Sequence, residues 1–255
     1  MENKAATGRY VTSQTSVWWD IDSCPVPAGY DASLVGPSIH LALEKLGYRG
    51  PITITAVGKL KRTSEDVMRA ISPTGITVKY GGLGCRSTCA ELFSWQLANP
   101  APATIMFISS PSVLKSLSHR LRSVPKEYNM LLAYGSSLPE KDPKLVTCAE
   151  WLWESLLKEA MCSDGKLEAK RQILMEEKRS KSLKPFNCTL CYSAWRSVEA
   201  FTTHLQGLDH EVMIMKQLAS QGQHEQGTEL ELGASSNGGN GGVEIETGEQ
   251  KQQLD

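Results

Sequence analysis

Short apolar runs alternate with stretches of helical spacing through the first 160 or so residues of this 255-residue chain. Val17, Trp18, Trp19 and Ile21 form the first run, and others follow at 52–57, 76–80, 104–109 and 130–133. Runs this short, apolar at successive positions, fit strands covered on both faces. Between them apolar residues recur every three or four positions over 34–46, 67–71, 92–97 and 113–121, the period of an amphipathic helix. Alternation of this kind predicts parallel β-α-β units and so an α/β fold: a doubly wound, mainly parallel sheet with helices on both faces. A last helix carrying Trp151, Trp153, Leu156 and Leu157 is expected to close this domain, 14–160.

The flanking segments read differently. Residues 1–13 are polar and without apolar period, and are expected to be disordered. Over 161–184 bases outnumber acids. This is either a solvated helical linker or a basic arm in which Lys170, Arg171, Lys178, Arg179 and Lys181 meet nucleic acid, with a weak nuclear import signal at 178–181. Residues 221–255, rich in Gly, Gln, Ser and Glu, cannot bury enough apolar surface to fold and are expected to form a disordered acidic tail. The formal net charge is −1, so no uniform basic field marks the whole chain as a nucleic-acid binder.

Cys188, Cys191, His204 and His210 follow the order Cys-x2-Cys-x12-His-x5-His. Two cysteines on a tight turn and two histidines further along a helix converge on one tetrahedral ion, so 185–212 is expected to be a zinc-held module in which Phe186, Trp195 and Phe201 pack beside the metal. A module so small folds on its metal, and the zinc is structural. Were its helix to enter a DNA groove, Ser197, Glu199, Ala200 and Thr203 would face the bases; none is a cation, which speaks against a sequence-specific DNA reader. The segment from His204 to His210 resembles fingers of the U1 and matrin type, several of which bind double-stranded RNA. Those carry bases after the glycine, where this chain has Leu208 and Asp209, so a protein partner is also expected of the finger and tail.

The first apolar run ends in Asp20-Ile21-Asp22-Ser23-Cys24-Pro25. Acids leaving the carboxyl end of a parallel strand can hold a divalent cation for phosphodiester chemistry, and the bland alternative for Asp22 is a turn or helix cap. This stretch, together with Leu97-Ala98-Asn99-Pro100 running into 101–109 and with 128–133, resembles the NYN domain of the plant proteins related to limkain b, the meiosis-arrest regulator family. Plant members with an added zinc finger are commonly labelled endonucleases, and the wider family implies a peroxisomal association. The resemblance implies a PIN-like ribonuclease fold with a magnesium site built of acids, to which Asp20, Asp22 and Glu91 would belong. The family opens its site with Asp-x-x-Asn, where this chain has Asp20 and Ser23. After the fourth strand the family reads Ile-Ser-Gly-Asp-x-Asp-Phe, and here Pro111 and Val113 stand at the two aspartate positions. With its charge about halved, such a site would bind magnesium weakly.

The expected function is therefore that of an RNA-associated regulator of gene expression, with a degenerate acidic site and a structural zinc. An active magnesium-dependent endoribonuclease and a protein-interaction adaptor that touches no RNA are the rivals. The cysteines outside the zinc set, Cys24, Cys85, Cys89, Cys148 and Cys162, with no secretory leader ahead of them, suggest free thiols in the cytoplasm or nucleus. No apolar run spans a bilayer, and the terminal Gln-Leu-Asp is not a peroxisomal address.

Overall fold

A computed structural model describes residues 3–81, 86–135, 137, 145–162, 165–179 and 184–219. Its centre is a sheet of eight strands: β1 (Thr15–Asp20), β2 (Ile52–Gly58), β3 (Ile76–Tyr80), β4 (Ala103–Ser109), β5 (Tyr128–Tyr134), β6 (Ala149–Leu152), β7 (Phe186–Cys188) and β8 (Ser193–Trp195). The helices are α1 (Val35–Lys45), α2 (Glu65–Ile71), α3 (Arg86–Ala98), α4 (Pro111–Arg122), α5 (Trp153–Met161), α6 (Lys166–Arg179) and α7 (Val198–Gln206).

Strand order is β6-β5-β4-β1-β2-β3-β7-β8, with every neighbouring pair parallel except the β7–β8 hairpin. Every residue of β1 and of β4 is buried, as the unbroken apolar runs predict for strands covered on both faces. Side-chain alternation sorts β1 between two cores. Val17 and Trp19 join Ile39, Ile76 and Trp153 on one face, and Trp18 joins Phe107, Leu114 and Leu121 on the other. Helix α4 shows how local chemistry sets a start: Ser110 caps it by accepting from the Val113 amide at 3.4 Å, and Pro111 occupies the first turn, where its missing N–H costs nothing.

Three expectations change on contact with the structure. Trp151 lies in a sixth strand, with β6 parallel to β5, and the helix begins only at Trp153. Apolar spacing could not divide a short buried strand from the first turn of the helix that follows it directly. Residues 3–13, expected to lack structure, are held by backbone bonds from Lys4 to Cys148 and from Ala6 to Leu46, and by the Tyr10 hydroxyl donating to the Glu127 carbonyl at 2.7 Å. The charged segment expected as a solvated helical linker or basic arm does form a helix, α6, but not one solvated all round, since it buries Leu167 and Leu174. Seven residues apart, these two share one face.

The Cys/His hairpin continues the main sheet. β7 adds parallel to β3 in the register Val78↔Phe186, Lys79↔Asn187, Tyr80↔Cys188. Phe186, Val198 and Phe201 belong to the same core as Trp19 and Ile76. One compact unit runs through Glu211, and the chain is helical over 208–219. The tail at 221–255 lies outside the described residues. No helix among those described is long and apolar enough to cross a membrane.

Candidate metal centre and the carboxyl edge of the sheet

The chain leaves β1 for β2 on one side of the sheet and reaches β4 on the other, so the strand order reverses between β1 and β4. Crevices at such points, outside the carboxyl ends of the strands, are where doubly wound sheets bind ligands. Asp20 ends β1 there and is buried at 7 % exposure. Its Oδ2 accepts from the Ser23 hydroxyl at 2.6 Å and from the Ser109 hydroxyl at 2.8 Å, and its Oδ1 accepts from the Ser23 amide at 3.2 Å. The Ser23 hydroxyl in turn accepts from the Ser110 amide at 3.0 Å, tying the end of β1 to the start of α4. Beyond Ser110 follow Pro111 and Val113, where the resemblance placed acids.

Asp22 and Glu91 have partners of other kinds. The Asp22 carboxylate turns to the loop after β2, accepting from the Lys59 amide at 2.6 Å and the Leu60 amide at 3.2 Å. Gly58 makes room for it, since a Cβ there would meet Asp22 Oδ1 at 2.8 Å. Leu60 takes φ 58°, a left-handed conformation that costs a non-glycine residue about 1–2 kcal/mol, and its side chain is buried. Glu91, on α3, is paired with Lys79 of β3, whose ammonium also lies 5.9 Å from the centre of the Trp18 ring. Lys79 carried no signal in the sequence beyond being the one cation inside an apolar run. Among the described residues, Asp20, Asp22 and Glu91 do not form a group of three ligands close enough to share an ion.

The four residues that do form one are Cys188, Cys191, His204 and His210, whose ligand atoms all lie within 4.8 Å of one another. Cys188 ends β7, the turn after it returns Cys191, whose amide donates to Cys188 Sγ at 3.3 Å, and α7 brings His204. His210 Nδ1 stands 3.6 Å from Cys188 Sγ and 3.4 Å from Cys191 Sγ. A tetrahedral ion with metal–sulfur bonds near 2.3 Å and metal–nitrogen bonds near 2.05 Å would set sulfur and nitrogen roughly 3.6 Å apart. His204 Nε2 is buried without a hydrogen-bond partner, an orphan lone pair of the kind a metal satisfies. Burial holds both imidazoles below their ordinary pKa, in the neutral form that ligates. Burial, and after it the charge of Cys188, push Cys191 up to about 11, an opposition between two thiolates that a divalent cation would reverse. Trp195 stacks on His204 at 4.2 Å, and Tyr80, at the end of β3, meets His210 edge to face at 4.4 Å. Tyr80 is a wall of the site that ligand spacing gave no means of finding.

Of the cations expected to meet nucleic acid, Lys170 pairs with Glu44, Arg171 with Glu168 at 2.6 Å, and Lys178 donates to the Gly75 carbonyl at 3.3 Å. The side chain of Arg179, and Lys181 altogether, lie outside what is described, as do Cys85 and the side chain of Cys89. Glu199 of α7 pairs with Arg69 of α2 at 2.8 Å, so part of the helix surface that would face DNA docks the helix to its own domain.

Cys24 lies beneath the acidic corner at 1 % exposure, with burial pushing its thiol up to about 12. Near pH 8.5 the native protein should therefore leave Cys24 unmodified by iodoacetamide while exposed Cys162 reacts. Peptide mapping that finds Cys24 alkylated as fast as Cys162 would contradict this. The folded thiol keeps its proton above the unfolded value near 9, so its contribution to stability declines as pH rises from there toward 12.

The doubly wound, mainly parallel sheet with an aspartate at the point of strand reversal is consistent with a PIN-like α/β domain. The chain belongs to the NYN domain family, whose model matches residues 14–146, just over half of its length. The NYN domain is a nuclease-type, RNA-related domain. β6, the helices after it and the Cys/His hairpin lie beyond the matched residues. No curated protein matches the chain.

Proposed function

We propose that this protein is an RNA-associated regulator whose nuclease-type domain no longer cleaves, and whose Cys/His site holds one structural zinc. The observation that carries the reading is the hydrogen bonding of Asp20: serine hydroxyls, and not further acids, surround its carboxylate. A magnesium ion dehydrates reluctantly and needs several carboxylates to offset that cost and to orient an attacking water. Here Asp22 braces a loop, Glu91 is neutralised by Lys79, and proline and valine begin α4. Loss of metal-activated water removes several kcal/mol of transition-state stabilisation, hence orders of magnitude in rate. Ser23 and Ser109 hold Asp20 as a structural acceptor that joins β1 to β4.

The zinc reading rests on the donor set and its spacing. Cys188, Cys191, His204 and His210 would hold the ion, which supplies cross-linking and no reaction chemistry.

The test compares wild type with Asp20→Asn on single-stranded RNA in magnesium and in manganese. Equal, background-level rates are expected. Metal-dependent cleavage that Asp20→Asn abolishes would establish an active endoribonuclease instead. Failure of the wild type to bind RNA even at low salt would leave a protein-interaction adaptor.

A further inference from the structure

A group of cations outside α6 stands at the carboxyl edge of the sheet. Lys59, Lys61 and Arg62 follow β2 at the carboxyl edge, all three exposed, and among the described residues none has an ion-pair partner. The next acids in the chain, Glu65 and Asp66, are engaged by Arg69 at 3.6 and 2.8 Å. The loop is a built feature: Asp22 takes the amides of Lys59 and Leu60, and Leu60 anchors in the core at a left-handed φ. Burying Leu60 leaves the charged side chains on either side of it in solvent.

The Cys/His hairpin brings a second element to the same edge. Gly58, Tyr80 and Cys188 stand side by side in the register of β2, β3 and β7. The turn after Cys188 ends in Tyr192, which is 90 % exposed at φ 52°. An aromatic ring so open, on a turn fixed by two candidate metal ligands, serves no core. Two strand spacings, roughly 10 Å, separate β2 from β7, about three stacked nucleotides at 3.4 Å each.

We infer that this edge binds single-stranded RNA, with backbone phosphates on Lys59, Lys61 and Arg62 and a base stacked on Tyr192. Cations that follow a backbone beside an aromatic platform are the recurring means of holding single strands without reading sequence. The inference rests on the RNA association proposed above and gives it a place. It also gives the hairpin a role, which is to carry the stacking residue to the edge that holds Lys59, Lys61 and Arg62.

The test uses the zinc-loaded full chain and fluorescent oligouridine, with affinity measured by anisotropy across a salt series. Replacing Lys59, Lys61 and Arg62 together by Gln should lower the slope of log affinity against log salt by about 2, at about 0.7 per phosphate contact, and weaken low-salt binding at least about tenfold. Tyr192→Asn, whose side chain suits a left-handed turn, should weaken binding about 5- to 100-fold with the slope unchanged, and Tyr192→Phe should bind as wild type does. Equal zinc content in all variants verifies the hairpin. If the triple variant and Tyr192→Asn both keep wild-type affinity and slope, the surface is elsewhere and RNA association still stands. If wild type itself does not bind oligouridine at low salt, the association and this surface fall together.

Discussion

Removing the metal, or replacing Cys188 by Ser, is expected to unfold the hairpin and to destabilise the whole domain with it. In isolated fingers structural zinc is worth about 10–16 kcal/mol, so if even a third of that is coupled to the sheet, the Tm falls by roughly 10 °C or more. The coupling has a named path. Phe186 stacks on Phe201 at 5.6 Å, Trp195 meets Phe201 at 5.5 Å, and Phe186, Val198 and Phe201 lie in the core that contains Ile76 and Val78. The Val78 amide donates to the Pro185 carbonyl at 2.7 Å and the Thr189 amide to the Tyr80 carbonyl at 3.2 Å. Hydrogen exchange at Val78 and Thr189 should lose protection on chelation. Protection unchanged at both amides, with an unchanged Tm, would mean that the hairpin is held by its apolar contacts alone.

Asp22→Ala is expected to lower stability by about 2–3 kcal/mol, or roughly 4–12 °C in Tm, because two backbone donors lose a charged acceptor and Leu60 loses what holds its left-handed turn. Asp22→Asn keeps one acceptor oxygen and should cost less. Limited proteolysis should open the chain between Lys59 and Thr63 in the alanine variant first. An acid kept for metal chemistry behaves in the opposite way, since its removal relieves repulsion from Asp20 and leaves Tm unchanged or raised. Thermal melts of the two variants beside wild type separate these roles.

Both tests bear on how far a reader of the sequence alone could go. The apolar runs located the first five strands, because a parallel strand covered on both faces must be apolar at successive positions whatever surrounds it, and missed β6. The four candidate ligands were equally legible: spacing along a turn and a helix is local geometry, and the structure brings all four together. The absence of acids at 111 and 113 could be read directly from the residues.

Partnership could not be read, because it depends on which surfaces meet. Asp22 stands two residues from Asp20, yet its carboxylate belongs to a loop nearly 40 residues further on, since parallel pairing sets the end of β2 beside the end of β1. The bases of α6 resembled a free basic arm until Leu167 and Leu174 turned one face inward and brought Lys170 to Glu44. The hairpin reads by its sequence as a separate metal-held module, and docking on β3 makes it the continuation of the sheet. Local chemistry, the capping, period and ligand spacing, was thus determined by the chain itself. Which charges are neutralised, and which remain at the edge for a ligand, was decided only by long-range burial and strand register, whose energies couple residues that are distant in sequence.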